Sequence, residues 1–135
     1  VALLGAVRGG QVEVVKVLVK AGADVDGSTP DGETPLLVAS REGYGKIVKD
    51  LLKGGANPNC ATHADKRTPL HEAAQRGYVD IVQMLLQYGA LREARDSEGD
   101  APLKHAERGG HKGVVDAIVK FSRKTKTGIL KIDAY

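Results

Sequence analysis

The chain has 135 residues, of which 41% are hydrophobic, with one Cys, no Trp and a formal net charge of +3. Its length suits a single structural unit, and the sequence contains no apolar run long enough to form a membrane span, which takes about 18 residues. The single Cys60 cannot form an internal disulfide, so the composition excludes a disulfide scaffold and predicts an intracellular protein.

The basic residues are unevenly placed along the chain. Residues 1–119 contain Lys and Arg in nearly the same number as Asp and Glu, whereas residues 120–135 contain five Lys or Arg and one Asp. The basic character therefore belongs to the C-terminal segment, and the body of the chain is close to neutral.

The first predicted helix pair lies near the N-terminus. Residues 1–8 are briefly apolar, but they fit the register of the later repeats, so we interpret them as a helix and not as a signal peptide. The second helix of this pair has apolar residues at 14, 15, 18 and 19, which form one stripe on a period of 3.6 residues.

The next two predicted pairs start with the same motif. TPLL at 34–37 recurs as TPLH at 68–71, which is 34 residues later. Thr34 and Thr68 are expected to cap a helix N-terminus through their hydroxyls, and each is followed by Pro, which is tolerated at the first helical position. Gly43 and Gly77 have the spacing of a helix C-terminus that needs a positive φ.

The fourth predicted pair begins at APLK, residues 101–104, another 33 residues along the chain. A second marker has the same period: Gly22, Gly55 and Gly89 each follow the second helix of a pair and are 33 and 34 residues apart. The sequence thus contains four copies of one helix-pair unit. The first copy, with Val1 at the Thr position, has lost the Thr-Pro start.

A period of about 33 residues with a T-P-L-H-x-A core resembles the ankyrin-repeat family from residue 1 to about residue 122. The resemblance implies an all-α solenoid of four stacked helix-turn-helix repeats joined by β-hairpin loops. We place the repeats at about 1–28, 29–61, 62–95 and 96–122, followed by a basic tail at 123–135. The hairpin before repeat three is one residue longer than the hairpin before repeat two, and Lys66 replaces its usual Gly.

The resemblance also implies a function. Members of the family are typically non-catalytic modules that hold a partner protein on the concave face, the surface formed by the hairpin tips and the first helices. The chain is accordingly predicted to be an adaptor, scaffold or regulator that is not an enzyme, is monomeric and needs no cofactor or metal. His71 and His111 occupy positions of the family where the ring has a structural role.

The candidate partner-binding residues are the polar side chains at the hairpins and at the ends of the first helices. They place an acidic hairpin edge beside a row of arginines, which would suit a partner of mixed charge. The set is Arg8, Asp31, Glu33, Arg41, Glu42, Asp65, Arg67, Gln75, Arg76, Glu98, Asp100 and Arg108.

Two alternative functions stay open at this point. GANPNC at 55–60 and HEAA at 71–74 resemble stretches of the ankyrin-type cyclin-dependent-kinase inhibitors, although repeat two of that group has a shortened first helix and repeat two here is full length. The basic tail could instead contact nucleic acid or chromatin. It lacks interleaved aromatic residues, so nucleic acid is not the expected partner, and its aliphatic residues are predicted to cap the last repeat.

Asn59 is a candidate for asparaginyl hydroxylation. It occupies the hairpin Asn position of the family, with Leu51 eight residues upstream, a pattern that such hydroxylases favour. The corresponding residues Asp26 and Glu93 are not Asn, so the prediction applies to Asn59 alone.

Overall fold

The computed structural model describes residues 2–121, and the predicted tail lies outside the described residues. Within 2–121 the chain forms eight helices and no β-strand. The helices are α1 (Ala2–Arg8), α2 (Val12–Lys20), α3 (Pro35–Glu42), α4 (Gly45–Lys53), α5 (Pro69–Arg76), α6 (Val79–Gln87), α7 (Pro102–Arg108) and α8 (112–121).

The helices stack in two layers. Helices α1, α3, α5 and α7 contact one another in that order, and α2, α4 and α6 form the parallel series behind them. Helices α2, α4 and α6 also pack on the first helix of their own repeats. This arrangement is a solenoid, and it confirms the all-α prediction.

The predicted caps are present at the first helices of repeats two and three. The Thr34 hydroxyl accepts a hydrogen bond from the Leu37 N–H at 3.2 Å, and the Thr68 hydroxyl accepts one from the His71 N–H at 3.3 Å. In return, His71 Nδ1 accepts the Thr68 N–H at 3.2 Å, which completes a reciprocal capping box. Ala101 has no side-chain oxygen, so α7 begins without a side-chain cap.

Gly77 shows why a glycine must end the first helix. Its φ is +80°, a conformation that is costly for a residue with a Cβ. A Cβ at this position would also lie 2.7 Å from Nδ1 of the His111 ring, which packs against the glycine from the next repeat. Two independent constraints, one of backbone conformation and one of space, thus act on this residue.

The core lies between the layers and consists of aliphatic side chains. The second helices of the inner repeats each bury four of them, at Ile47, Val48, Leu51 and Leu52 in α4 and at Ile81, Val82, Leu85 and Leu86 in α6. These residues form the apolar stripe that the sequence predicts for a helix packed on one side.

The hairpins are tight turns at 29–33, 62–67 and 96–100. Each is closed by one backbone hydrogen bond between its ends, for example from the Thr29 N–H to the Glu33 carbonyl at 3.0 Å. In the middle hairpin the bond runs from Thr62 to Arg67, so the turn holds one more residue. Lys66 adopts a φ of +54° there, in the left-handed region that Gly32 and Gly99 occupy in the other two hairpins.

No helix in the described part of the chain has the length and apolar character that crossing a membrane requires.

Candidate partner-binding surface

Backbone hydrogen bonds align the three hairpin tips across the repeats. The His63 N–H donates to the Asp31 carbonyl at 3.0 Å, and the Ser97 N–H donates to the Asp65 carbonyl at 2.8 Å. The tips therefore form one continuous edge along the solenoid, and the side chains of Asp31, Asp65 and Glu98 are exposed on it.

Below this edge, repeats two and four contain equivalent ion pairs. Glu33 in the first hairpin pairs with Arg41 at the end of α3, and Asp100 in the third hairpin pairs with Arg108 at the end of α7, at 2.9 Å. In both cases the acid belongs to the hairpin and the arginine lies eight residues later, on the first helix.

Repeat three replaces this ion pair by a hydrogen bond. Arg67 directly precedes Thr68, the position that Glu33 and Asp100 occupy before Thr34 and Ala101, and Gln75 takes the position of the helix arginine. Arg67 NH2 donates to Gln75 Oε1 and, at 3.4 Å, to the His71 carbonyl. The guanidinium thus lies along the start of α5.

Two of the candidate side chains are largely buried: Arg67 is 16% exposed and Asp100 is 15% exposed. The Nε of Arg67 donates to Glu72 Oε2 at 3.3 Å, and its NH1 lies 3.9 Å from Asp96 Oδ2. All three guanidinium nitrogens of Arg67 contact groups within the protein. Arg67 therefore links repeats three and four before any partner arrives.

Glu72 is the central residue of a charged cluster on this face, and it was not among the predicted residues. The side chain is 8% exposed and is surrounded by three arginines: Arg76 at 2.8 Å, Arg67 at 3.3 Å and Arg41 at 3.8 Å. Arg41 belongs to the preceding repeat, so the carboxylate joins repeats two and three. A buried acid costs much free energy unless it is paired in this way.

Asp96 is a second buried acid that the sequence analysis missed. Its Oδ1 accepts the Glu98 and Asp100 N–H groups, both at 3.0 Å, and its Oδ2 lies 2.7 Å from His105 Nε2. Burial by itself would raise the pKa of Asp96, but these hydrogen bonds outweigh it and lower the pKa from 3.8 to about 2.

His71 is buried beside this acid and has the structural role expected of it. Its Nε2 contacts the Asp100 carbonyl at 2.8 Å, so the ring ties α5 to the next hairpin. Burial lowers the pKa of His71 below 6.5, partly opposed by this carbonyl and by the charge of Asp96. His111 is structural too: its Nε2 lies 2.9 Å from the Gln75 carbonyl.

His71, Asp96 and His105 each place one potential ligand atom within 4.8 Å of the others, a spacing that could hold a metal ion. The cation at this place is the Arg67 guanidinium, which is 3.4 Å from His105 Nε2 and 3.9 Å from Asp96 Oδ2. Both ring nitrogens of His71 also have protein partners. The residues therefore fit an internal ion-pair network better than a metal centre.

The remaining candidate residues divide into paired and unpaired groups. Within 2–121, the carboxylates of Asp31, Glu42, Asp65 and Glu98 make no side-chain hydrogen bond or ion pair, and all four residues are exposed. Arg8 is 55% exposed and lies 3.9 Å from Glu33. The charge available to a partner is thus mainly negative at the hairpin edge, because most of the arginines are neutralised by internal acids.

Two open pockets separate the hairpins. One of about 310 Å³ lies between repeats two and three and is lined by Asp31, Glu33, Arg41, Asp65 and Glu72 among others. The other, of about 490 Å³, lies between repeats three and four and is lined by Arg67, Gln75, Glu98, His105, Arg108 and Gly109. The first is predominantly acidic, and the second holds two arginines and one acid.

Asn59, the predicted modification site, lies away from this face. Its Oδ1 accepts the Leu91 N–H at 2.8 Å and its Nδ2 donates to the Gly89 carbonyl at 3.1 Å. Asp26 makes the equivalent bond one repeat earlier, to the Asn57 N–H at 2.9 Å. The side chain connects consecutive repeats, and hydroxylation of Asn59 stays a prediction.

Comparison with known proteins identifies the repeat. The family model described as ankyrin repeats (3 copies) matches residues 2–62 and 46–127. The chain is 37% identical over 112 residues to cyclin-dependent kinase 4 inhibitor B of Bos taurus, covering 83% of this chain and 85% of that protein. The Homo sapiens form is 38% identical over 112 residues, covering 83% of this chain and 80% of that protein.

A shorter stretch of the chain is similar to a different regulatory protein. Protein phosphatase 1 regulatory subunit 27 of Mus musculus is 43% identical over 60 residues, which cover 44% of this chain and 39% of that protein. The matched family model spans most of the chain, and the helix pairs, caps and terminal glycines follow its period. The chain therefore belongs to the ankyrin-repeat family.

Proposed function

We propose that this protein is a non-catalytic regulator or scaffold that binds a partner protein on the concave face, inside the cell. The observation that carries the proposal is the unpaired acidic edge formed by Asp31, Asp65 and Glu98, which are aligned by the backbone bonds between hairpins. Exposed carboxylates in a row are suited to Lys and Arg side chains of a partner.

The arginines of the face add a smaller contribution. Arg8 and Arg108 have side chains that are 55% exposed, and each contacts only one internal acid. They can add bidentate contacts to a partner carboxylate at the two ends of the surface. Arg67 instead has a positioning role, since its donors hold Glu72, Asp96 and the start of α5 in place.

The proposal can be tested by affinity capture from cell extract followed by mass spectrometry, with three forms of the full chain as bait. They are the wild type, a rim variant (Asp31→Asn, Asp65→Asn, Glu98→Gln) and a control variant (Glu13→Gln, Asp80→Asn, Asp116→Asn). The control removes three exposed carboxylates from the second helices. We expect proteins that bind the wild type and the control but are lost from the rim variant. Equal capture by all three baits would contradict binding at the concave face.

A kinase is the second candidate partner, because the similarity to cyclin-dependent kinase 4 inhibitor B extends over four-fifths of both chains. Against it, α3 is a full eight-residue helix, as long as α5, whereas that group has a shortened helix in repeat two. Biolayer interferometry with purified cyclin-dependent kinase 4 tests this candidate directly. Saturable binding that the rim variant weakens would support it, and no binding at micromolar concentrations would remove it.

A further inference from the structure

An apolar groove of about 440 Å³ lies at the C-terminal end of the solenoid, away from the concave face. It is formed by the end of α6, the loop that follows it and the last described turn of α8. Its apolar lining comes from Leu86, Ala90, Leu91, Ala94 and Phe121. We call it the C-terminal groove.

Leu91 makes this groove unusual among the equivalent surfaces of the chain. Its side chain is 61% exposed, and it is among the most exposed large aliphatic residues in the described part of the protein. The equivalent residues in the earlier repeats are Asp24 and Asn57, which are polar. The apolar residue thus lies in the last described loop of this series. An exposed apolar surface of this kind typically marks a contact.

The periodicity indicates which segment lies next to the groove. Each loop after a second helix contacts the following one, as the Asp26–Asn57 and Asn59–Leu91 bonds show. The loop at 89–94 is the last in the described residues, and the next segment in register begins at 122, 33 residues after Gly89. The chain continuing from Phe121 therefore starts at the wall of the groove itself.

The composition of that segment fits the groove. Three aliphatic residues, Ile129, Leu130 and Ile132, follow a basic stretch and a glycine at 128. Seven residues separate Phe121 from Ile129, and a chain of this length reaches roughly 25 Å when extended, which is enough to turn back onto the groove. At the groove edge Glu93 pairs with Arg92 at 3.7 Å, so these two charges offset each other and the fit depends on the apolar side chains.

We propose that residues 129–132 of this same chain occupy the C-terminal groove and cover Leu91, closing the solenoid as an intramolecular cap. A second copy of the chain or a separate partner protein is the competing occupant, and the experiment below distinguishes the three. The proposal does not depend on the function proposed for the concave face.

A photo-crosslinker at position 91 identifies which segment occupies the C-terminal groove. The full chain carries Leu91→p-benzoylphenylalanine, and the matched control carries Val17→p-benzoylphenylalanine, a site on α2 that is 65% exposed at the other end of the solenoid. Equal amounts of ¹⁵N-labelled and unlabelled protein are mixed before irradiation. Peptide mapping by mass spectrometry is expected to find Leu91 joined to residues 129–132 of a chain with the same label, and no such product from the control.

The other outcomes contradict the proposal. Crosslinks between labelled and unlabelled chains would assign the groove to a second copy, and the absence of any crosslink to 129–132 would leave it to a separate partner. Recovery of the p-benzoylphenylalanine side chain without any peptide crosslink counts as the latter result.

A second pair of variants tests the chemistry of the cap. Leu130→Asp with Ile132→Asp should abolish the crosslink, raise the fluorescence of an apolar dye several-fold and lower the Tm by a few degrees. Thr125→Asp with Thr127→Asp adds the same charge to the same segment and should change none of these. Far-UV circular dichroism verifies that both fold, and equal crosslinking by the two variants would overturn the proposal.

Discussion

The inner and terminal repeats are built on one motif but differ in how much of it is buried. Helices α4 and α6 each bury four aliphatic residues, whereas α2 buries Val15 alone. Val14 of α2 is 44% exposed, although it occupies the stripe position that Ile47 and Ile81 hold in the inner repeats. The difference arises because an inner repeat has a neighbour on each side and the first described repeat has one.

The same contrast applies to the polar contacts. In repeat three, Arg67 contacts two buried acids and the backbone, and those acids in turn reach repeats two and four. In repeat four, Arg108 is exposed and contacts Asp100 only. The contribution of a residue to stability therefore depends on its position in the stack more than on its place in the motif.

The largest expected effect is on the aliphatic core. Leu85→Ala should reduce the free energy of unfolding by about 2–5 kcal/mol, because its side chain is fully buried between layers. Leu18→Ala, at the equivalent position in the first repeat, should cost clearly less, because Leu18 is only partly buried. Urea denaturation followed by circular dichroism measures both, and equal losses would contradict a dependence on the number of neighbouring repeats.

The next effect concerns the arginines. Arg67→Ala should cost about 1–3 kcal/mol, because it removes a partner from Glu72 and from Asp96, and both of these acids remain buried. Arg108→Ala should cost no more than about 1 kcal/mol, because the Arg108 side chain is 55% exposed and contacts one acid only. The same denaturation assay applies. If Arg108→Ala lowers the free energy of unfolding more than Arg67→Ala does, the contacts of Arg67 with Glu72 and Asp96 do not stabilise repeat three.

The pH dependence of stability tests the contribution of His71 in repeat three. His71 has a folded-state pKa below 6.5 because burial favours its neutral form. Its contribution to stability is therefore complete above about pH 6.5 and is lost as the pH falls through the lower folded-state pKa. His71→Leu reproduces Leu37, the residue of repeat two at this position.

The variant should be less stable at pH 7, since it loses the capping box, but its Tm should fall less between pH 7 and pH 5 than that of the wild type. Thermal denaturation across this range measures the two slopes. Parallel slopes would assign the acid sensitivity to other groups.

The smallest effect is expected at the hairpin edge. Asp65→Asn should change the free energy of unfolding by no more than about 0.5 kcal/mol, because the carboxylate is exposed and has no side-chain partner in the described residues. Asp96→Asn, in the next hairpin, should destabilise clearly more, because Asp96 is buried and hydrogen-bonded. A loss for Asp65→Asn as large as that for Asp96→Asn would show that the edge also supports the fold.

Much of the fold could be predicted from the sequence because its signals are local. The Thr34 and Thr68 caps act on N–H groups three residues away, and Gly77 satisfies a backbone conformation at its own position. The apolar stripe of α6 follows from helical spacing alone. Recurrence of these local signals at a fixed period was enough to identify stacked helix pairs.

The candidate surface was predicted less completely, because it depends on distances between repeats. Glu72 occupies the position of Val38 and His105 in the motif, and nothing local indicates that arginines from two repeats surround it. One signal was present in the sequence: the residue directly before the start of the first helix is the basic Arg67 in repeat three, where repeats two and four have Glu33 and Asp100.

The repeat period, the helix starts at the prolines and the list of polar residues on the concave face follow from the sequence alone. Which of these charges are paired inside the protein, and which remain for a partner, depends on how the repeats stack. Helix capping and periodicity act over a few residues, whereas Glu72 lies 3.8 Å from Arg41, which is 31 residues away in sequence, and Arg67 lies 3.9 Å from Asp96, which is 29 residues away. These distances exist only once the repeats have stacked.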